Sequence, residues 1–145
     1  MMNDCPVLVA EDDPSIRALI ATALRRRKLS LTMATNGDEA LHHLQRAHWS
    51  VLVLDLMMPG VTGWEVISWL AKTPQRKPRT VIVVSATERK ALEQLDPSVV
   101  NAIIFKPFDI VQLSAYVRAS CDLPHDDRRR TRVVDVNERF GSPLR

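Results

Sequence analysis

Four short apolar runs, each closed by a polar or charged side chain, set the main constraint on this chain. Val7-Leu8-Val9-Ala10 leads into Glu11-Asp12-Asp13, and Val51-Leu52-Val53-Leu54 leads into Asp55. Val81-Ile82-Val83-Val84 ends at Ser85, and Ala102-Ile103-Ile104-Phe105 ends at Lys106. Unbroken runs rich in Val and Ile read as strands buried on both faces, the habit of a parallel sheet covered by helices. Ligands of such sheets gather at the carboxyl ends of the strands. Parallel alignment of these four strands would bring carboxylates, a hydroxyl and an ammonium to one edge. That set of groups suits a cation and a phosphate, not a core.

Helical patterns fill the intervals. Asp13-Pro14 is a helix start, with Asp as the cap and Pro in the first turn. Ile16, Leu19, Ile20, Ala23 and Leu24 then recur at helical spacing as one apolar face. Residues 30–34 read as a short strand closed by the turn signal Asn36-Gly37, and residues 38–48 as a second helix. A loop with Pro59, Gly60 and Gly63 follows the third strand, then a helix over 64–73 stopped by Pro74. A short helix over 88–95 precedes Pro97, and a last helix covers 109–121. Strand and helix alternate five times, which predicts an α/β fold with right-handed crossovers.

The 145 residues, 46% hydrophobic, suit one globular domain. No apolar stretch approaches the roughly 20 residues that span a bilayer, and the first six residues carry no secretory leader pattern. A formal charge of +3 with interspersed acids gives no nucleic-acid footprint. The densest basic cluster, Arg25-Arg26-Arg27-Lys28, falls where the first helix should end and complements its dipole. Cys5 and Cys121 stand far apart in sequence and read as two free thiols in a reducing cytoplasm. Past residue 122 the composition turns polar, with Asp126-Asp127 and Arg128-Arg129-Arg130. The expected division is a domain over 1–122 and a largely disordered polar tail over 123–145, with Val133, Val134 and Val136 as a possible short strand.

From residue 7 to residue 121 the chain resembles the receiver domain of bacterial response regulators. The stretches that carry the resemblance are 7–14 (VLVAEDDP), 53–63 (VLDLMMPGVTG), 83–86 (VVSA) and 105–108 (FKPF). Four elements in this order, each at a strand end, make the resemblance specific. It implies a flavodoxin-like, doubly wound sheet of five parallel strands in the order 2-1-3-4-5. The switch point then lies between the first and third strands, where Asp12 and Asp55 end their runs.

The resemblance also implies roles. Asp55 would be the phosphoacceptor, taking a phosphoryl group from a histidine kinase or a histidine phosphotransfer protein. A carboxylate and a phosphate repel each other, and a divalent cation between them removes that penalty. Mg²⁺ needs only one or two carboxylates when phosphate oxygens and waters complete its octahedron. Asp12 and Asp55 would bind it directly, with the backbone carbonyl of Met57, and Glu11 through water; Asp13 is left as the helix cap. Lys106 would neutralise phosphoryl oxygens as a point charge, and Ser85 would donate a hydrogen bond to the new group. Pro107 follows Lys106, where receivers carry a cis peptide. One position departs from the pattern: Ile103 stands where receivers carry the Tyr or Phe that turns inward on activation.

Other readings fit less well. A Mg²⁺-dependent phosphatase with an aspartate nucleophile, of the haloacid dehalogenase type, needs a second Asp two residues on, where Met57 stands. A receiver cut from a larger DNA-binding regulator remains a second reading. His42, His43, His48 and His125 have no partners at metal spacing, and Trp49, Trp64 and Trp69 read as packing residues. The expectation is a cytoplasmic signalling switch, not a turnover enzyme, which passes its state to a downstream output protein without membrane insertion.

Overall fold

The computed structural model describes residues 5–86, 89–122 and 133–139. Strands β1 (Val7–Ala10), β2 (Leu31–Ala34), β3 (Val51–Asp55), β4 (Thr80–Ser85) and β5 (Ala102–Phe105) are all parallel. They lie in the order β2-β1-β3-β4-β5, as the resemblance implied. The helices between them are α1 (Pro14–Arg26), α2 (Gly37–Arg46), α3 (Gly63–Lys72), a 3₁₀ helix over Arg89–Gln94, and α4 (Ile110–Asp122). No helix among the described residues is long and apolar enough to cross a membrane.

Alternation along each buried strand divides the core into two layers. Val7, Val9, Val53, Ile82, Val84 and Ile104 point to the layer shared with Ile20 and Leu24 of α1 and Leu113 and Val117 of α4. Leu8, Leu52, Leu54, Val81, Val83 and Ile103 point to the other, with Ala40 and Leu44 of α2 and Val66, Ile67 and Leu70 of α3. Trp49, Trp64 and Trp69 pack against this second layer, as read from the sequence. The apolar face of α1 is narrower than its spacing suggested. Leu19 is exposed, and Ala21 is buried instead.

The helix starts agree with their capping chemistry. Asp13 accepts hydrogen bonds from the Ser15 and Ile16 amides at 2.8 and 3.2 Å. Asn36 caps α2 through Glu39 N at 2.8 Å, and Thr62 and Glu65 form a capping box on α3. Arg25 and Arg26 sit in the last turn of α1, where its dipole favours cations.

Two features correct the sequence expectations. The sheet has six strands, because β6 (Val134–Asp135) pairs in parallel with β5 and leads into α5 (Val136–Arg139). Both elements fall in the stretch read as a polar tail. Val136 is fully buried, Val133 and Val134 pack against the core, and Asp135 pairs with Arg89 at 2.8 Å, so side-chain contacts at a ready sheet edge hold a segment whose overall composition is polar. The tail residues 123–132 and 140–145 lie outside the described residues. The second correction concerns the thiols, since Cys5 and Cys121 form a disulfide with their Cα atoms 5.8 Å apart. The last helix runs back along the sheet, so its end meets the start of β1 although 116 residues separate the two.

Candidate functional site

Each strand-end residue arrives at the site by the register of its strand. Val7 to Ala10 of β1 pair with Val51 to Leu54 of β3, so the residues that follow these two runs meet at the carboxyl edge. One carboxylate oxygen from each of Glu11, Asp12 and Asp55 lies within 4.8 Å of the others. On the far side, Ser85 pairs with Phe105, and Lys106 N donates to Ser85 O at 2.7 Å. That register swings the Lys106 ammonium across the edge, 2.7 Å from Glu11 Oε1 and 3.4 Å from Asp55 Oδ2. The Lys106–Pro107 peptide is cis.

The structure thus brings together Glu11, Asp12, Asp55 and Lys106, with Ser85 fully buried beside them. Met57 N donates to Asp55 Oδ1 at 3.1 Å, which fixes the rotation of that carboxyl and leaves Oδ2 toward Lys106. The Met57 side chain is exposed, so only its backbone can serve the site. Sequence reasoning missed Arg17, whose guanidinium donates to the carbonyls of Glu11 and Asp12 at 3.0 and 3.2 Å. An Arg one turn into the helix after an acidic loop is the signal that could have found it.

Burial, foremost, and the nearby Asp55 carboxyl hold the Glu11 carboxyl above its ordinary range, against the pull of Lys106. Burial also works against the Lys106 charge. Its hydrogen bond to Glu11 and the two carboxylates outweigh that effect, so Lys106 titrates above its usual value and stays an ammonium at neutral pH. Glu11 binds its proton more tightly in the folded state, so its contribution to stability declines as pH rises from 4.5 through the raised value. The Lys106 contribution is fully present below 10.5 and is lost as pH rises through its raised value.

The donor set fits a hard divalent cation. Three converging carboxylates exceed the single ammonium in charge, and Glu11 Oε2 is buried without a hydrogen-bond partner among the described residues. Mg²⁺ titration is expected to shift amide resonances near Asp55 or quench tryptophan fluorescence, and Asp12→Ala to remove the response. An unchanged titration in that variant would refute the metal assignment.

Gly63 locks the end of β3 to α3. Its amide donates to Leu56 O at 3.0 Å, and a Cβ there would overlap the Asp55 carbonyl and Leu56 Cα. Gly63→Ala is therefore expected to cost about 1–3 kcal/mol through overpacking, measured by urea unfolding. A stability equal to that of the parent would show that this loop gives way freely.

A parallel α/β sheet in this strand order, with acids, a hydroxyl and a lysine gathered along its carboxyl edge, is a doubly wound, flavodoxin-like fold. Residues 7–118 match the response regulator receiver domain, and the chain belongs to that family. Among its relatives is the uncharacterized transcriptional regulatory protein YkoG of Bacillus subtilis, 31% identical over 79% of this chain and 50% of that protein. The chain spans half or less of the length of YkoG and of the regulators ResD and AtoC. In structure it is similar to the receiver domain of the Francisella response regulator 1452, with a TM-score of 0.74 and 29% identity over 81% of this chain and 97% of that one. TrrA of Thermotoga maritima, solved in complex with Mg²⁺-BeF, has a TM-score of 0.69 and 26% identity over 80% of this chain and 98% of that one.

Proposed function

We propose that this receiver accepts a phosphoryl group on Asp55 from a histidine kinase or a histidine phosphotransfer protein and passes the signal on by a change of shape. The observation that carries the reading is the Lys106 ammonium held between Glu11 and Asp55, two of three converging carboxylates. Mg²⁺, when held by Asp12, Asp55 and the Met57 carbonyl with Glu11 through water, would neutralise the phosphoryl oxygens and orient the incoming group.

The chain's own residues do the rest. The hydrogen bond from Met57 N orients the Asp55 carboxyl for attack. The Asp55 oxygen–phosphorus bond forms as the phosphorus–nitrogen bond of the donor breaks, and the electron pair returns to the donor imidazole. Lys106 trades its contact with Asp55 for the developing phosphoryl oxygens, and Ser85 supplies a hydroxyl donor. No carboxylate stands where an aspartate-based phosphatase holds its acid and base, since Met57 fills that position. The output is then a switched surface and not a released product, and its reader is a downstream protein in the cytoplasm. Residues 1–122 form the acceptor unit, and 123–145 are an accessory segment.

The test is incubation with acetyl phosphate or a phosphorylated histidine kinase plus Mg²⁺. One acid-stable, base-labile phosphoryl group is expected, and none should form without Mg²⁺. Failure of every donor to label the chain would overturn the reading. A second reading, a receiver working within a longer regulator, is favoured by the half-length match to YkoG. The mass of the native protein from cells separates the two.

A further inference from the structure

We propose that the outer edge of β5 is a strand-binding site, held in cis by residues 134–136, and that loading the acidic site releases that segment. The proposal rests on the phospho-acceptor reading above. The segment is anchored at few points. Its ladder to β5 is two residues long, with Val134 N donating to Asn101 O at 3.0 Å. Most of its hold comes from side chains: Val136 is fully buried, and the buried carboxyl of Asp135 meets the Arg89 guanidinium at 2.8 Å. The same guanidinium lies over the Phe105 ring, 5.1 Å from its centre.

Arg89 is thus a clamp between the segment and the site. It stands four residues after Ser85 in the chain, and its aromatic partner Phe105 immediately precedes Lys106. Ser85 and Lys106 are residues that a phosphoryl group on Asp55 would draw toward itself along the carboxyl edge. Asp135 lies opposite Ile103, two residues back along β5 from Phe105. Movement of Arg89 toward the carboxyl edge therefore carries it away from Asp135. The buried Asp135 carboxyl still accepts from Asn137 N at 2.9 Å when the Arg89 contact is lost, but its charge is then less well compensated, and a two-residue ladder offers little to retain the segment. Asn137 Oδ1 is already buried without a hydrogen-bond partner among the described residues, so the seat of α5 is imperfectly satisfied. Once released, the β5 edge presents unpaired backbone groups to another extended strand, best matched by an acidic residue followed by a β-branched one.

Amide hydrogen exchange on the full chain, with Mg²⁺ alone and with Mg²⁺ plus beryllofluoride, tests this. Amide shifts at Asp55 and Met57 report loading independently of the segment. With loading, exchange at Val134 should accelerate by about tenfold or more, a factor that corresponds to roughly 1.4 kcal/mol. Arg89→Gln should give the same acceleration without beryllofluoride. Loading with unchanged or slower exchange at Val134 would overturn the release while leaving the acceptor reading intact. Absence of the loading signal would overturn the acceptor reading and the trigger together, and unchanged exchange in Arg89→Gln would overturn the clamp itself.

Discussion

Asp55→Asn is expected to reduce phosphoryl labelling by acetyl phosphate or a phosphorylated kinase to background, a loss of about a hundredfold or more. An amide nitrogen or carbonyl is no nucleophile toward phosphorus under these conditions, and no other carboxylate among the described residues combines the same contacts. Glu11 is committed to Lys106 at 2.7 Å, and Asp13 caps α1 through two amides. The fold should survive, because the replacement is nearly isosteric and Asn can keep accepting from Met57 N at the Oδ1 position. It also removes one of three converging negative charges, so the melting temperature should be unchanged or higher. Lys106→Met gives the contrasting result, a slowed reaction with the acceptor oxygen still present. Mass spectrometry of the intact chain and of its peptides reads both. Equal labelling of the Asn variant would move the acceptor elsewhere, and loss of fold in that variant would leave Lys106→Met as the deciding comparison.

Most of the site was legible because it depends on position along a strand. Asp55 and Lys106 follow apolar runs whose register is set by burial on both faces, so their meeting at one edge follows from strand direction and order alone. Asp13 was legible as a cap because capping is local, decided by a side chain and the next three amides. What escaped reading is non-local or conditional. Arg17 braces the acidic loop through backbone carbonyls, and no residue pattern reports where a long side chain folds back. Asn101 was invisible for the same reason. Its side chain accepts from Val81 N at 2.7 Å and its carbonyl takes Val134 N, so one polar residue joins three strands. β6 was underestimated because its hold comes from non-local contacts, Asp135 with Arg89 and Val136 with the core, that its composition does not report. The segment between β4 and β5 has the length expected of a helix but forms a 3₁₀ helix, close to the Asp96-Pro97 stop.

Reduction of the Cys5–Cys121 disulfide is expected to lower stability by about 2–4 kcal/mol and the melting temperature by roughly 10 °C. The expectation follows from chain length and topology. The bond joins residues 116 apart, so it removes from the unfolded ensemble nearly all the freedom of the two chain ends relative to each other. It also ties the start of β1, the strand that carries Glu11 and Asp12, to the end of α4, which otherwise meets α1 through packing and through Arg27 Nε to Ser114 Oγ at 2.9 Å. Both cysteines are buried, so Cys→Ser would add the cost of an enclosed hydroxyl to that of the lost bond. Reductant on the parent chain isolates the second cost, and Cys5→Ala with Cys121→Ala checks it without a polar group. Thermal unfolding with and without dithiothreitol makes the measurement, beside a thiol count on the unfolded, unreduced chain. Two titratable thiols before reduction would show that the bond does not form in solution. An unchanged melting temperature on full reduction would show that α4 holds β1 by packing alone. Labelling of Asp55 should persist in the reduced protein while it stays folded, because the strand register that assembles the site is set by the sheet and not by the bond.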